Sequence, residues 1–223
     1  MLNLYLLRSF RKAATFGAVI SVAACIGFAG AITSRAQASP AAEVYVQNNV
    51  QRGLQILNNT ALPRQQRQEQ FRNFLLTLTD LRRIALYTLG PARRTATAAE
   101  QDAFTEAFRD YAFAVYGAEF SKYSGQTLRV TGSYERAPGD ELVRTVLVDP
   151  HARQGQEPIE VDFRVYGSNG RYNVVDIVVA GLDLAITEQE DFGAFLAQHN
   201  NDIRALIANL RQRTDHVRTT GQI

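Results

Sequence analysis

Between Thr79 and Gly125 the apolar positions repeat with a helical period. Phe104, Phe108, Tyr111, Val115, Tyr116, Phe120 and Tyr123 fall on one broad face, at steps that fit a helix, and all but Val115 are aromatic. A face this bulky needs something large and apolar opposite it. Thr97 and Glu100 form a capping box that starts this long helix, and Gly125 ends it. Just upstream, Asp80 caps a short helix with Leu81, Ile84, Ala85 and Leu89 inward, and Gly90-Pro91 stops it. Earlier still, Ser39-Pro40 suits a helix start, and Val46, Val50, Leu54 and Leu57 mark its inner face. Asn58-Asn59-Thr60 breaks that helix. Pro63 opens another with Phe71, Phe74, Leu75 and Leu78 aligned, and Arg64, Gln65, Gln66, Arg67 and Gln68 read as a solvated face.

After Gly125 the period falls to that of a strand. Leu128 to Tyr134 and Glu141 to Val148 read as two strands joined by a turn at Ala137-Pro138-Gly139-Asp140. A polar loop follows from His151 to Glu157. Ile159, Val161, Phe163 and Val165 then alternate with Glu160, Asp162, Arg164 and Tyr166, as a half-buried strand requires. Gly167-Ser168-Asn169-Gly170 is a hairpin turn into a fourth strand, Tyr172 to Ala180, whose two faces are both largely apolar and which is therefore expected to be central. Thr187 and Glu190 suggest a second capping box, opening a helix with Phe192, Phe195 and Leu196. Asn200-Asn201 interrupts it, and Asp202 caps a last helix carrying Ile203, Leu206, Ile207 and Leu210. The tail after Arg213 is polar and is expected to fray. Helices before and after one antiparallel sheet make this an α+β chain.

The first residues change the picture. Arg8, Arg11 and Lys12 precede an apolar run from Ala13 to Ile32, and Ala36-Gln37-Ala38 stands before Ser39-Pro40. This pattern is that of a cleavable secretory signal over 1–38, leaving one domain over 39–223. An uncleaved membrane anchor, or lipid attachment at Cys25 after Val22-Ala23-Ala24, are the other readings of the same run. Cleavage removes Arg8, Arg11, Lys12 and Arg35 with no acid, so the formal charge moves from +2 to −2. The basic balance of the full chain thus belongs to its leader and implies no nucleic-acid surface. Cys25, the single cysteine, leaves with it, so neither a disulfide nor thiol chemistry is expected.

Candidate chemistry is sparse. His151, His199 and His216 stand apart with no partner at metal-ligand spacing, and no phosphate loop or hydrolase motif occurs. No cofactor is expected. Asp162, Arg164 and Asp176 lie on facing strands of one hairpin, where an acid–arginine group either fixes register as an ion pair or orients a substrate. Asp183 reads as a turn cap. Arg93 and Arg94, ahead of the long helix, either meet an anionic headgroup or are simply solvated.

An ordered set of residues resembles a known family. Asp80-Leu81 with Ile84-Ala85, then Leu89-Gly90, Phe104, Phe108, Val115-Tyr116 and Tyr123-Ser124-Gly125 are similar to the periplasmic phospholipid-binding MlaC family, also described as toluene-tolerance or Ttg2D-like and including the hopanoid-associated HpnM branch. Val161-Asp162-Phe163-Arg164, Val174 through Leu182, Phe192, and Leu206-Ile207 followed by Leu210-Arg211 continue the same order. The chain departs from the family's habit at Ala92 and Phe163, where Trp is common, at Asp183, and at Asn200-Asn201, where a Gly pair is common. These departures bear on the pocket mouth and lipid preference more than on the fold.

The resemblance implies a helical layer over a curved four-stranded antiparallel sheet, an NTF2-like arrangement, with an apolar cavity between them for acyl chains. It implies a non-enzymatic periplasmic carrier, acting as a monomer. The cargo would be a phospholipid or hopanoid-type lipid, passed between an outer-membrane lipoprotein complex and an inner-membrane ABC transporter with an MCE-domain subunit. Ile84, Leu89, Phe104, Phe108, Tyr111, Val115, Phe163, Val165, Val175 and Ile177 are the expected lining, with Gly90-Pro91 a candidate hinge. Two other classes compete. One is an enzyme on the same cone using Asp162, Arg164, Asp176 or Tyr111 on a small apolar substrate. The other is an assembly module whose apolar face packs on a partner.

Overall fold

The computed structural model describes residues 39–222; the leader expected over 1–38, with Cys25, lies outside the described residues. Three helices come first: α1 (Pro40–Leu57), α2 (Arg64–Leu78) and α3 (Leu81–Thr88). A 3₁₀ turn (Gly90–Arg94) leads into the long α4 (Ala98–Phe120). Five strands follow, β1 (Thr127–Ala137), β2 (Asp140–Val148), β3 (Val161–Ser168), β4 (Arg171–Val179) and the short β5 (Leu182–Asp183). The chain closes with α5 (Leu184–Gln198) and α6 (Ile203–Thr220). The sheet is antiparallel in sequence order, one strand more than the four expected.

Local chemistry accounts for most boundaries. The capping box at α4 is present: Glu100 N donates to Thr97 Oγ1 at 3.2 Å and Thr97 N donates to Glu100 Oε2 at 3.0 Å. Asp80 caps α3 by accepting from Arg83 N at 3.0 Å. The β3–β4 hairpin turns through Asn169 and Gly170, both at positive φ (53° and 76°), the geometry that lets two strands close without splaying. Register shifts in β1 and between β3 and β4 mark bulges, which bend the sheet.

Five expectations are corrected. Strand β4 is not central, since only two-residue β5 lies beyond it; Val175 and Ile177 face the hollow under the helices, and Tyr172 packs against Tyr45 of α1. Helix α5 starts at Leu184 under an Asp183 cap, which accepts from Ile186 N at 2.8 Å. Thr187 is inside that helix, its hydroxyl donating to the Asp183 carbonyl, so the expected second capping box does not form. The tail does not fray at Arg213, because Thr214 and Val217 continue the buried stripe of Leu206 and Leu210 to a left-handed Gly221. Tyr123 lies beyond α4, its hydroxyl donating to Asn58 Oδ1 at 3.1 Å. Ser39 does not cap α1 through its side chain; its N–H donates to Ser133 Oγ at 2.8 Å and so ties the helix to β1.

Two solid cores flank the middle of the molecule. The larger joins α3, α4, α5 and α6 through Leu89, Phe104, Phe108, Phe192, Leu206 and Leu210. Phe192 meets Phe104 and Phe108 edge-on, with ring centroids 5.8 and 6.3 Å apart. The smaller joins α1 to the sheet through Ala42, Val46, Val143 and Val165.

Gly167 is the tightest backbone position. A Cβ there would stand 2.0 Å from the Arg171 carbonyl oxygen, at φ +152°. Gly167→Ala is expected to destabilise the fold by about 3 kcal/mol, read as a fall in the urea midpoint with an unchanged slope; a midpoint equal to wild type would contradict this packing.

Candidate functional site

The stretch of α4 beyond Phe108 turns its face toward a void rather than a solid core. A cavity of about 320 Å³ lies between α2, α3, α4, the start of α5 and strands β3 and β4. Helix α4 supplies Phe108, Tyr111, Ala112, Val115, Tyr116 and Phe120, its steps of three and four residues keeping them on one side. Helix α2 supplies Phe71, Leu75 and Leu78, and α3 supplies Leu81 and Ile84. From the sheet come Phe163, Val174, Val175 and Ile177. Arg164 pairs with Asp176 and Val165 with Val174, so Val175 is the extra residue of a bulge. That bulge bends β4 and lets neighbouring residues share the cavity wall.

Of the ten residues expected to line a cavity, Ile84, Phe108, Tyr111, Val115, Phe163, Val175 and Ile177 are brought together here. Leu89, Phe104 and Val165 are not. Leu89 and Phe104 are fully packed against α5 and α6, and Val165 against α1. Periodicity marks the apolar face of an element, but not which part of that face meets protein. The wall from α2 was missed, although the Phe71, Phe74, Leu75, Leu78 stripe was visible in the sequence. Leu184, Ala185 and Glu188 of α5 left no such signal, because the sequence pattern puts the cap of that helix at Thr187 rather than Asp183.

Two carboxyl groups stand in the apolar wall. Asp176 Oδ1 accepts from Ile177 N at 2.8 Å and Ala185 N at 3.2 Å. Burial, and then the neighbouring Asp183 carboxylate, push its pKa up to about 7. Glu188 is raised chiefly by burial, against the attraction of Arg213, and its Oε2 has no hydrogen-bond partner. Burial likewise pushes the Tyr111 phenol up to about 12, opposed by Arg213, whose guanidinium lies 4.4 Å from the ring centroid and donates to the hydroxyl. Tyr116 is raised by burial too. Both phenols are therefore neutral hydrogen-bonding groups near neutral pH.

The acid–arginine group anticipated on the β3–β4 hairpin is divided. Arg164 forms a two-pronged ion pair with Asp140 of β2, Nε to Oδ1 and Nη2 to Oδ2 both at 2.8 Å. Asp162 instead accepts from Thr145 N at 3.2 Å, and Asp176 caps backbone groups at α5. The register-fixing role is thus played by Arg164 with Asp140 rather than with either hairpin acid. Arg93 and Arg94 are exposed on the 3₁₀ turn and do not line the cavity. Among the described residues no group of three or more His, Cys, Asp or Glu side chains is placed to hold a metal, and no helix is long and apolar enough to cross a membrane.

The family model described as MlaC protein matches residues 47–212. Among solved structures, the fold is similar to that of a phospholipid-binding protein from Ralstonia solanacearum, determined in complex with a phospholipid. The TM-score is 0.63 at 19% sequence identity, covering 79% of this chain and 96% of that one. At this identity the likeness establishes the fold.

The wall carboxyls give a pH signature. A carboxyl raised from 3.8 to about 7 on folding holds its proton better in the folded state. Its contribution is complete below the unfolded value and is lost as pH rises through the folded one. Urea midpoints of the protein are expected to fall between pH 4 and pH 7 and then level off. The fall should be shallower in Asp176→Asn, whose amide oxygen still accepts from Ile177 and Ala185; identical profiles for both proteins would refute the assignment.

Proposed function

Because this chain belongs to the MlaC family, we propose that it is a periplasmic lipid carrier, binding and moving a lipid rather than transforming it. The observation that carries this reading is the apolar cavity walled by α4, α2 and the sheet. The physical need is large. Each buried methylene is worth about 0.8 kcal/mol, so two tails of roughly sixteen carbons cost on the order of 25 kcal/mol if left in water. A lipid crosses an aqueous compartment only when its tails are hidden. Similarity to a protein solved with a phospholipid bound supports a phospholipid as cargo, and a hopanoid-type lipid is the alternative within the same family.

Loading and release call for a wall that can part from the others. Helix α2 is the wall suited to move, since Leu76 at its rim is 40% exposed and its contacts with α4 are few. The Gly90-Pro91 break, where Gly90 sits at φ +59°, is the second place where the helical layer can adjust. Matching lipid-free and lipid-loaded structures at both places would count against this opening. Release depends on a partner that stabilises the open form. The expected partners are an inner-membrane ABC transporter with an MCE-domain subunit and an outer-membrane lipoprotein complex, served by a secreted domain that begins after the leader at Ser39.

The test is direct. Protein purified from a bacterial periplasm, extracted with organic solvent, is expected to yield a stoichiometric lipid by mass spectrometry. Ala112→Trp fills the cavity from the middle of α4 and should cost about 1–3 kcal/mol of overpacking at most, with most of the lipid lost and the circular-dichroism spectrum retained. Absence of any lipid from the unaltered protein would sink the carrier reading.

A further inference from the structure

A second hollow adjoins the apolar cavity, and its chemistry is the opposite. A groove of about 490 Å³ lies where the α1–α2 loop meets the C-terminal end of α4. Arg64, Arg67, Gln68, Ser121, Tyr123 and Ser124 line it, with no carboxylate among the lining residues. Phe120 belongs to both walls, facing the apolar cavity and the groove together. It is held edge-on by Phe71, at 4.2 Å between ring centroids, so the partition between the two hollows is aromatic and thin. The Tyr123 hydroxyl donates to Asn58 Oδ1, so two lining residues tie the α1–α2 loop to the chain beyond α4.

The arginines are available. Arg67 reaches the Leu57 carbonyl through Nη1 at 3.3 Å, which fixes its head in the groove, and Arg64 is exposed at the first turn of α2. Among the described residues neither forms an ion pair with a carboxylate. Guanidinium groups with hydroxyl and amide side chains around them are suited to a phosphate, which accepts several charge-assisted hydrogen bonds.

The charge layout of the apolar cavity points the same way. Asp176 and Glu188 stand in its wall, Glu188 near enough to Arg213 and Tyr111 to shift with them. Tyr111 precedes Phe120 by nine residues of α4, about 14 Å along the helix axis. A phosphate placed toward Tyr111 would face the Asp176 and Glu188 carboxyls in an apolar wall, where Arg213 is already engaged by Tyr111, and would lose its hydration. Placed beyond Phe120, it meets two cations and water.

We propose that the groove beside Phe120 is the subsite for a phosphate-bearing headgroup, with Arg64 and Arg67 as its cationic contacts and the tails entering past Phe120. This rests on the carrier reading and adds to it the orientation of the lipid and its selectivity for phosphate.

Arg64→Gln is the informative variant, because Arg64 is exposed and makes no contact on which the fold depends, whereas Arg67 also holds the α1–α2 loop. Mature protein is mixed with vesicles carrying either fluorescent phosphatidylglycerol or fluorescent diacylglycerol, and captured lipid is measured after the vesicles are removed. Arg64→Gln is expected to lower phosphatidylglycerol capture about tenfold and leave diacylglycerol capture unchanged, with Arg64→Lys intermediate. Equal loss of both lipids, or loss of neither, overturns the subsite while leaving the carrier intact. Capture of neither lipid by the unaltered protein overturns both proposals. Calorimetry with inorganic phosphate completes the set: Arg64-dependent phosphate binding with undiminished phosphatidylglycerol capture would make the groove a free-anion site and overturn the headgroup assignment.

Discussion

Helix α4 has to satisfy two different neighbours with one aromatic stripe, and the rest of the structure follows from that demand. Toward its N-terminus, Phe104 and Phe108 pack on Phe192 and the α6 leucines as an ordinary close-packed core. Toward its C-terminus, Val115, Tyr116 and Phe120 look into a hollow. Side chains that line a hollow lack packing partners on one side and forfeit dispersion contacts there. The capping box at Thr97, the Phe104–Phe192 contact and the α4–α6 seam are what offset such a cost. A guest of the proposed kind would restore the forfeited contacts and so stabilise the folded chain.

Much of this was legible in the residues. The α+β order, the α4 stripe with its capping box, and both hairpin turns are local signals, and each survives in the structure. What was not legible is non-local. The buried half of α4 and its hollow half have the same periodicity, so Leu89 and Phe104 could not be separated from Tyr111 and Val115 by sequence. Val165 and Phe163 alternate identically along β3, yet one meets Val46 while the other reaches the cavity. Asp183 outcompeted the Thr187–Glu190 pattern as the α5 cap because β5 delivers it at the helix start, and a two-residue strand has no periodicity to read. Arg164 found Asp140 because register between β2 and β3 is set by the whole sheet.

Polar groups inside an apolar wall carry a cost, and their placement therefore has structural content. Asp176 recovers part of that cost by accepting from the first turn of α5, so the sheet and the helix share one carboxyl. Tyr111 recovers it from Arg213, which lies across its ring and bonds its hydroxyl. These contacts pin β4 and α4 to α5 and α6. Among the described residues α2 makes no hydrogen bond to these polar groups, which is why the proposed opening falls on its side of the hollow.

The seam between α4 and α6 joins residues that lie far apart in the chain, with Arg213 reaching back to Tyr111 and Val217 still buried near the end. Helix α6 thus braces α4 without lining the hollow itself. A substitution on the buried face of α6 therefore reaches the cavity only at second hand, through the position it gives Tyr111.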